Sequence, residues 1–330
     1  MLPGWTWMIV RWCRRGDARE VLFQRNRLLC LRCHAAVPLE GLEPFSLAPC
    51  PRCRAPNFVP KKIGSFVLFE PVGAGANASA YKAWREDQGN RPFAVKLLRH
   101  DQPLTGERIQ AFLGEGEIHS RIPHHENLPD YGGHGHEDGE YYYAAEFISG
   151  ERLKHRLVRE GKLRQDAVLR IAGDVLSALQ HILDHGYLYR DVNVGNIILR
   201  PDGTAVLVDF GLTEAVDVAA AKKQEAFAEG AAAFIPPERI LRAGENEASI
   251  IYSLGMLMYL LLTGGDCVKA SDVVRAAMRH IGPRLAITQS QMPGCADGVV
   301  NLIARMTKAD PAGRFQSFHE TLEAIAGIAV

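Results

Sequence analysis

One ordered set of residues limits what this 330-residue chain can become. A loop reading Tyr189-Arg190-Asp191-Val192-Asn193-Val194-Gly195-Asn196 runs into the apolar Ile197-Ile198-Leu199. A second apolar run, Val206-Leu207-Val208, ends on Asp209-Phe210-Gly211. Well upstream, Phe93-Ala94-Val95-Lys96-Leu97-Leu98 carries a single lysine in an apolar stretch. Arg-Asp-x4-Asn, then Asp-Phe-Gly, with that lysine before both, is an order that chance does not readily produce.

Other segments fall between and around these. Phe66 to Phe69 reads as a strand leading into Gly73-Ala74-Gly75-Ala76-Asn77-Ala78, where small residues let a hairpin backbone approach phosphates closely. Alone that is a weak signal, and the third glycine of such loops is replaced by Ala78. A helical stretch, Arg108 to Ile122, precedes His124-His125-Glu126-Asn127-Leu128. Tyr131 to Phe147 reads as a hairpin turning at Glu137-Asp138-Gly139-Glu140. His134 and His136 alternate along its first strand without a nearby third ligand, which speaks against a metal there. Further on stand Phe234-Ile235-Pro236-Pro237-Glu238 and Asp310-Pro311-Ala312-Gly313-Arg314.

Taken in order, these landmarks resemble the protein kinases, bacterial serine/threonine type, over roughly 265 residues. The resemblance implies an α+β, bilobal fold with a small β-rich N-lobe (65–146) and a larger helical C-lobe (150–330). It also implies ATP and Mg²⁺ as cofactors and a protein substrate. Asp191 would accept the proton of the substrate hydroxyl, and Asn196 and Asp209 would give oxygens to Mg²⁺. Lys96 would meet the α- and β-phosphates and be held by Glu115. The competing Glu117 is turned about 200° away on the helix, toward solvent. Val72, Gly73, Gly75, Ala80, Ala94, Glu146, Ile148 and Ile198 complete the implied ATP site, with Ala145 as gatekeeper. Glu238 and Arg314 are expected as a structural ion pair.

Four positions depart from the family pattern. Asn193 stands where a lysine neutralises the transferring phosphoryl group, and Ala231 where a threonine bonds that lysine and the catalytic aspartate. Tyr189 replaces the histidine before Arg-Asp, and Ile250 replaces a buried aspartate that anchors the loop. An apolar contact between the Tyr189 ring and the Ile250 region is the expected substitute for that anchor. Arg190 marks a kinase whose activation segment is often ordered by phosphate, yet no Ser, Thr or Tyr lies between Thr213 and Phe234. One of the acids Glu214, Asp217, Glu225 or Glu229, with Glu225 singled out, is expected to pair with Arg190 instead.

The N-terminal region is different in kind. Cys30-x2-Cys33 and Cys50-x2-Cys53, sixteen residues apart, have the spacing of a zinc ribbon, whose four thiolates saturate a structural Zn²⁺. The glycine common after each pair is replaced by His34 and by Arg54. Residues 28–56 are read as the ribbon, 1–27 as a basic extension, 57–64 as a linker carrying Pro60, and 65–330 as the kinase domain. Residues 1–62 hold eleven Lys/Arg against four Asp/Glu, and the remainder 27 against 34, so a neutral chain has a basic N-terminal part. No aromatic-rich motif accompanies that charge, so nucleic acid is not an expected partner. The ribbon is a candidate protein-docking module.

Leu2 to Val10 is too short to span a bilayer, and Ile250 to Thr263 reads as a buried core helix, so no membrane span and a cytoplasmic location are expected. Two functions stay open at this point. One is phosphoryl transfer from ATP to a protein serine or threonine. The other is a pseudokinase scaffold that binds nucleotide and signals through contacts.

Overall fold

Buried and half-buried side chains alternate along Pro92–Leu98, with Phe93, Val95 and Leu97 facing inward, as a strand with one covered face requires. In the computed structural model this is the eighth of ten N-terminal strands among the described residues. The described residues are 23–85, 91–221, 233–265 and 287–328. They form two compact units, one from Met1–Leu113 with Gly132–Phe147, the other from Gly114–Tyr131 with Ile148–Val330.

The first unit opens with two small antiparallel hairpins: β1 (Arg27–Leu29) with β2 (Ala36–Pro38), and β3 (Leu47–Pro49) with β4 (Pro56–Phe58). A six-stranded antiparallel sheet follows. It comprises β5 (Lys61–Ile63), β6 (Phe66–Ala74), β7 (Ala78–Arg85), β8 (Pro92–Leu98), β9 (Tyr131–Glu137) and β10 (Glu140–Glu146), in the order β5-β6-β7-β8-β10-β9. Its covered face is an apolar cluster of Ile63, Phe66, Leu68, Ala83, Phe93, Val95, Leu97, Tyr142 and Ala144.

Residues 57–64, expected as a linker, are instead mostly strand. Asn57 and Phe58 pair within the second hairpin, and Lys61–Ile63 extends the large sheet by pairing with Phe66–Leu68. Three-residue strands are too short for alternation to reveal, and Pro60 only interrupts pairing between the two sheets.

Helix Gly106–Ser120 begins and ends two residues earlier than the expected 108–122. The second unit is built on helices Gln165–Asp184 and Glu247–Thr263. The latter is apolar on every side, because it runs through the middle of the largest core cluster. It stops at Gly264, whose φ of 70° favours glycine and whose added Cβ would lie 2.2 Å from the Gly161 carbonyl oxygen. Strands Ile197–Leu199 and Ala205–Leu207 pair antiparallel beneath the loops that carry the conspicuous aspartates. Among the described residues no helix is long and apolar enough to cross a membrane.

Candidate active site

In the first unit, register decides which side chains share a face. Ala80 lies opposite Lys96, Lys82 opposite Ala94, Ala94 opposite Ala145 and Lys96 opposite Tyr143. Ala80, Ala94, Lys96 and Ala145 therefore line one side of the sheet, and Tyr81, Ala83, Phe93, Val95 and Ala144 line the other. The Lys96 ammonium lies 5.6 Å from the Tyr143 ring centroid, on the first of these faces. Small residues at positions 80, 94 and 145 leave room beside the lysine.

The glycine-rich hairpin closes with Gly73 opposite Ala80 and a bond from the Gly75 N–H to the Ala78 carbonyl, 2.8 Å. Its tip is tied back by residues that sequence reasoning did not assign. The Arg99 guanidinium donates to the Gly75 carbonyl at 3.3 Å, and Arg108 donates to the Asn77 carbonyl at 3.2 Å. Both are cations placed where only backbone geometry, and no motif, brings them. Val72 is exposed on the same hairpin. Glu146 ends β10 opposite Phe93 and pairs with Arg91 at 3.6 Å.

In the second unit, Asp191 is half-buried and both its carboxylate oxygens are engaged. Asn193 Nδ2 donates to Oδ1 at 2.9 Å, and Asn196 Nδ2 donates to Oδ2 at 2.7 Å. Burial raises the Asp191 carboxyl above the usual carboxylate range, the two amides pull it back, and the charge of Asp209 adds to the rise. Strand Ile197–Leu199 follows directly, with Ile198 half-buried opposite Val206, and the Val208 N–H bonds the Asn196 carbonyl at 2.8 Å. With its nitrogen committed to Asp191, Asn196 retains Oδ1, and Asp209 contributes a carboxylate. That pair of oxygen donors suits a hard divalent ion such as Mg²⁺. Asp209 has a φ of 74°, a left-handed conformation that Asp tolerates better than most residues and that its side chain supports by accepting the Gly211 N–H at 3.2 Å.

Glu115 is buried, and its carboxylate accepts the Phe210 N–H at 3.2 Å; Glu117 is exposed and pairs with Arg121 at 2.5 Å. Phe210 stacks on His119, with centroids 4.3 Å apart, and meets Tyr189 edge-on at 6.1 Å. The expected apolar substitute for the missing loop anchor is only half of what is found. Tyr189 and the fully buried Ile250 do share one core, but the Tyr189 hydroxyl also makes a polar anchor by donating to the Val208 carbonyl at 2.8 Å. A buried phenol needs a partner for its O–H, and the backbone before Asp209 supplies it.

Arg190 is buried and doubly paired. It donates to Glu214 at 2.6 Å and through Nε to Glu245 at 2.9 Å, while Arg239 bonds Glu245 at 2.7 Å and the Arg190 carbonyl at 2.6 Å. Glu214 belongs to the acidic set expected to take this role. Glu245 was not foreseen, since it lies 55 residues away with no local signal. Glu225, Glu229 and Ala231 lie outside the described residues. Arg314 is fully buried and bonds Glu238 at 2.7 and 3.1 Å, with further bonds to the carbonyls of Ala248, Lys308 and Ala309. Ile148 is buried at the start of this unit.

The four N-terminal cysteines form a second site. Cys30 and Cys53 have sulfurs 3.6 Å apart, as do Cys33 and Cys50, and all four lie within 4.8 Å. Thiolates on a tetrahedral zinc at about 2.3 Å would be about 3.8 Å from one another. His34 and Arg54 occupy the glycine positions at φ 59° and 60°, each donating its N–H to the carbonyl of Cys30 or Cys50 to close the knuckle. Burial opposes ionisation of Cys30, but N–H groups of Cys33 and Arg32 and two neighbouring thiols bring it down to about 6. Cys33 is pushed up to about 12: the Ala35 N–H favours its thiolate, but burial and the three other sulfurs outweigh that bond. Four sulfurs this close are compatible with one tetrahedral cation among them.

Comparison with known proteins agrees with this geometry. Residues 66–324 match the model of the protein kinase domain. Serine/threonine-protein kinase PrkC of Bacillus subtilis is 27% identical over 254 residues, 77% of this chain and 39% of that protein. Serine/threonine-protein kinase PknA of Mycobacterium tuberculosis is 29% identical over 270 residues, 80% of this chain and 61% of its own length. The chain thus spans about two to three fifths of the curated relatives it matches. A protein kinase domain implies ATP and Mg²⁺. With the landmarks in order, Asp191 held by two amides, and the family model matched over most of its length, the chain belongs to the protein kinase family.

Proposed function

We propose that the protein transfers the γ-phosphoryl group of ATP to a serine or threonine hydroxyl of a protein. The observation that carries this reading is the Asp191 carboxylate, positioned from both sides by Asn193 and Asn196. In the proposed reaction the substrate hydroxyl oxygen bonds the γ-phosphorus, the bond to the β–γ bridging oxygen breaks, ADP leaves, and Asp191 takes the hydroxyl proton. Asn196 and Asp209 would hold Mg²⁺, which when bound offsets charge on the phosphates. Lys96 contributes a cation for the α- and β-phosphates, and the hairpin carrying Gly73, Gly75 and Ala80 covers them. Adenine would rest on the backbone around Ala145 and Glu146 and on the side chains of Val72, Ala94, Ile148 and Ile198. Glu115 orders the Phe210 backbone and is the family's partner for the lysine.

The neutral Asn193 supports a second reading, a nucleotide-binding scaffold, because it supplies no charge to the transferring group. Losing such stabilisation commonly costs about 10²–10³ in rate, which slows a kinase without abolishing it. Phosphate incorporation by wild type and by Asp191→Asn, alongside MgATP binding, separates the two. Transfer that depends on Asp191 supports the kinase, and binding without such transfer supports the scaffold.

The four-cysteine module we take as a structural Zn²⁺ site with no open coordination position and a surface for a protein partner. Its reduced thiols suit a cytoplasmic compartment. Zinc content near one atom per chain, lost in Cys50→Ser, is the test.

A further inference from the structure

The four-cysteine module and the glycine-rich hairpin are parts of one packed unit, joined through aromatic rings: Phe45 and Phe58 both meet Tyr81, Phe58 at 6.1 Å and Phe45 more closely. Phe45 precedes β3. Its ring stacks on Tyr81 of β7, with centroids 4.7 Å apart and planes 12° from parallel. Phe58 of β4 adds a second stack on Phe45 at 5.8 Å, and the Lys61 ammonium lies 5.3 Å from the Phe45 centroid. Phe45 and Tyr81 both pack against the apolar cluster of the large sheet.

We infer that Phe45 is a positioning residue for the glycine-rich hairpin, bracing strand β7 through Tyr81 from the face opposite Ala80 and Lys96. The functional part of this inference rests on the nucleotide reading above. The structural part stands on the packing alone.

Strand alternation carries the first step. Tyr81 lies opposite Val95, whereas its neighbour Ala80 lies opposite Lys96, so the two point to opposite faces. A ring pressed on Tyr81 cannot obstruct the phosphate side, yet it limits how far the strand carrying Ala80 can move. β6 and β7 meet with two register irregularities, between Leu68 and Glu70 and between Pro71 and Gly73, so pairing to β6 holds this part of the hairpin less evenly than a regular ladder. Tyr81 is opposite Pro71, between the two breaks.

The second step is what holds Phe45. Its φ of 63° is uncommon for a bulky residue, and such a conformation persists only where surrounding contacts over-determine it. Two bonds do so here: the Phe45 N–H donates to the Val59 carbonyl and the Val59 N–H to the Ser46 carbonyl, both at 2.9 Å. They continue the β3–β4 ladder, in which Leu47 faces Phe58 and Pro49 faces Pro56. Cys50 and Cys53 close the far end of that hairpin, where the Cys50 N–H bonds the Ala55 carbonyl at 2.8 Å. The Cys50–Cys53 turn at one end and the Phe45 stack at the other are thus linked by one short hairpin. The kinase family match begins at residue 66, so the brace comes from outside the matched domain.

The test uses the full chain. Phe45→Gly removes the ring while suiting the left-handed backbone, and zinc content verifies that the module persists. Amide exchange at residues 73–83 should rise, and MgATP affinity should fall roughly two- to tenfold, the range of an aromatic pair. Phe45→Tyr should restore both. Tyr81→Leu, made outside the module, should reproduce the loss, and adding Phe45→Gly to it should cost little more. Unchanged exchange and MgATP affinity in Phe45→Gly would overturn the inference, as would an undiminished effect in the Tyr81→Leu background. If wild type binds no MgATP, the nucleotide reading fails, and exchange at residues 73–83 alone decides for or against the brace.

Discussion

Asn193 clamps Asp191: its Nδ2 donates to the carboxylate at 2.9 Å while its Oδ1 accepts the Gly195 N–H at 2.8 Å. A neutral amide thus fixes the orientation of the proposed proton acceptor at the position where the family pattern leads one to expect a lysine. The side chain spans two residues of the loop in either direction, which makes it a brace for the loop as much as for the carboxylate.

Asn193→Ala should therefore lower kcat by about two- to tenfold, the worth of one hydrogen bond, with MgATP affinity little changed. The pH profile adds a second check. In the proposed reaction Asp191 acts in its charged form, so activity should fall as pH drops through its raised pKa. Removing a donor to the charged form raises that pKa further. The acid limb of kcat/KM should move to higher pH in Asn193→Ala, and a shift to lower pH would contradict the clamp.

Glu245 joins two arginines in the interior, whereas Glu214 reaches Arg190 from a partly exposed position. Glu245→Ala leaves buried positive charge uncompensated and should cost about 3–5 kcal/mol in denaturant unfolding. Glu214→Ala should cost about 1 kcal/mol or less. Since acids already occupy Arg190, phosphatase treatment should leave activity unchanged. A loss of activity on dephosphorylation would show that the ion pairs do not replace phosphate.

Ile250 is fully buried among the side chains of the central helix. Ile250→Asp restores the residue type the family uses there but finds Tyr189 bonded elsewhere, so it buries an unpaired carboxylate. The thermal midpoint should fall by several degrees, about 2–4 °C per kcal/mol for a domain of this size. An unchanged or higher midpoint would show that the loop can still accept its polar anchor.

Chelation of zinc should unfold the small module first, because a core of Leu28, Val37 and the cysteines is too small to hold itself. Its ligands bind as thiolates, and metal-free Cys33 stays protonated up to about 12, so binding zinc releases protons. Zinc affinity should accordingly fall as pH falls, measurable by competition with a chromophoric chelator. Affinity independent of pH would argue against thiolate ligation.

Much of the catalytic loop is legible in sequence because its chemistry is local. Asp191, Asn193 and Asn196 lie within six consecutive residues, and their mutual bonds follow from a single turn of chain. The cysteine site is legible for the same reason, each pair sitting on its own knuckle. Glu245 was invisible because its meaning depends on a contact 55 residues away. Lys61–Ile63 read as linker because three residues carry no periodic signal, and only pairing with Phe66–Leu68 makes them a strand.

Sequence alone determined the family, the order of the candidate catalytic groups and the four-cysteine cluster, since each is written in residue type and short spacing. Tertiary structure decided how Arg190 is neutralised, what anchors Tyr189, and that the four-cysteine module packs on the large sheet through Phe45 and Tyr81. Those outcomes depend on which distant side chains share a desolvated volume. There a buried charge or hydroxyl must find whatever partner the packed chain brings within reach.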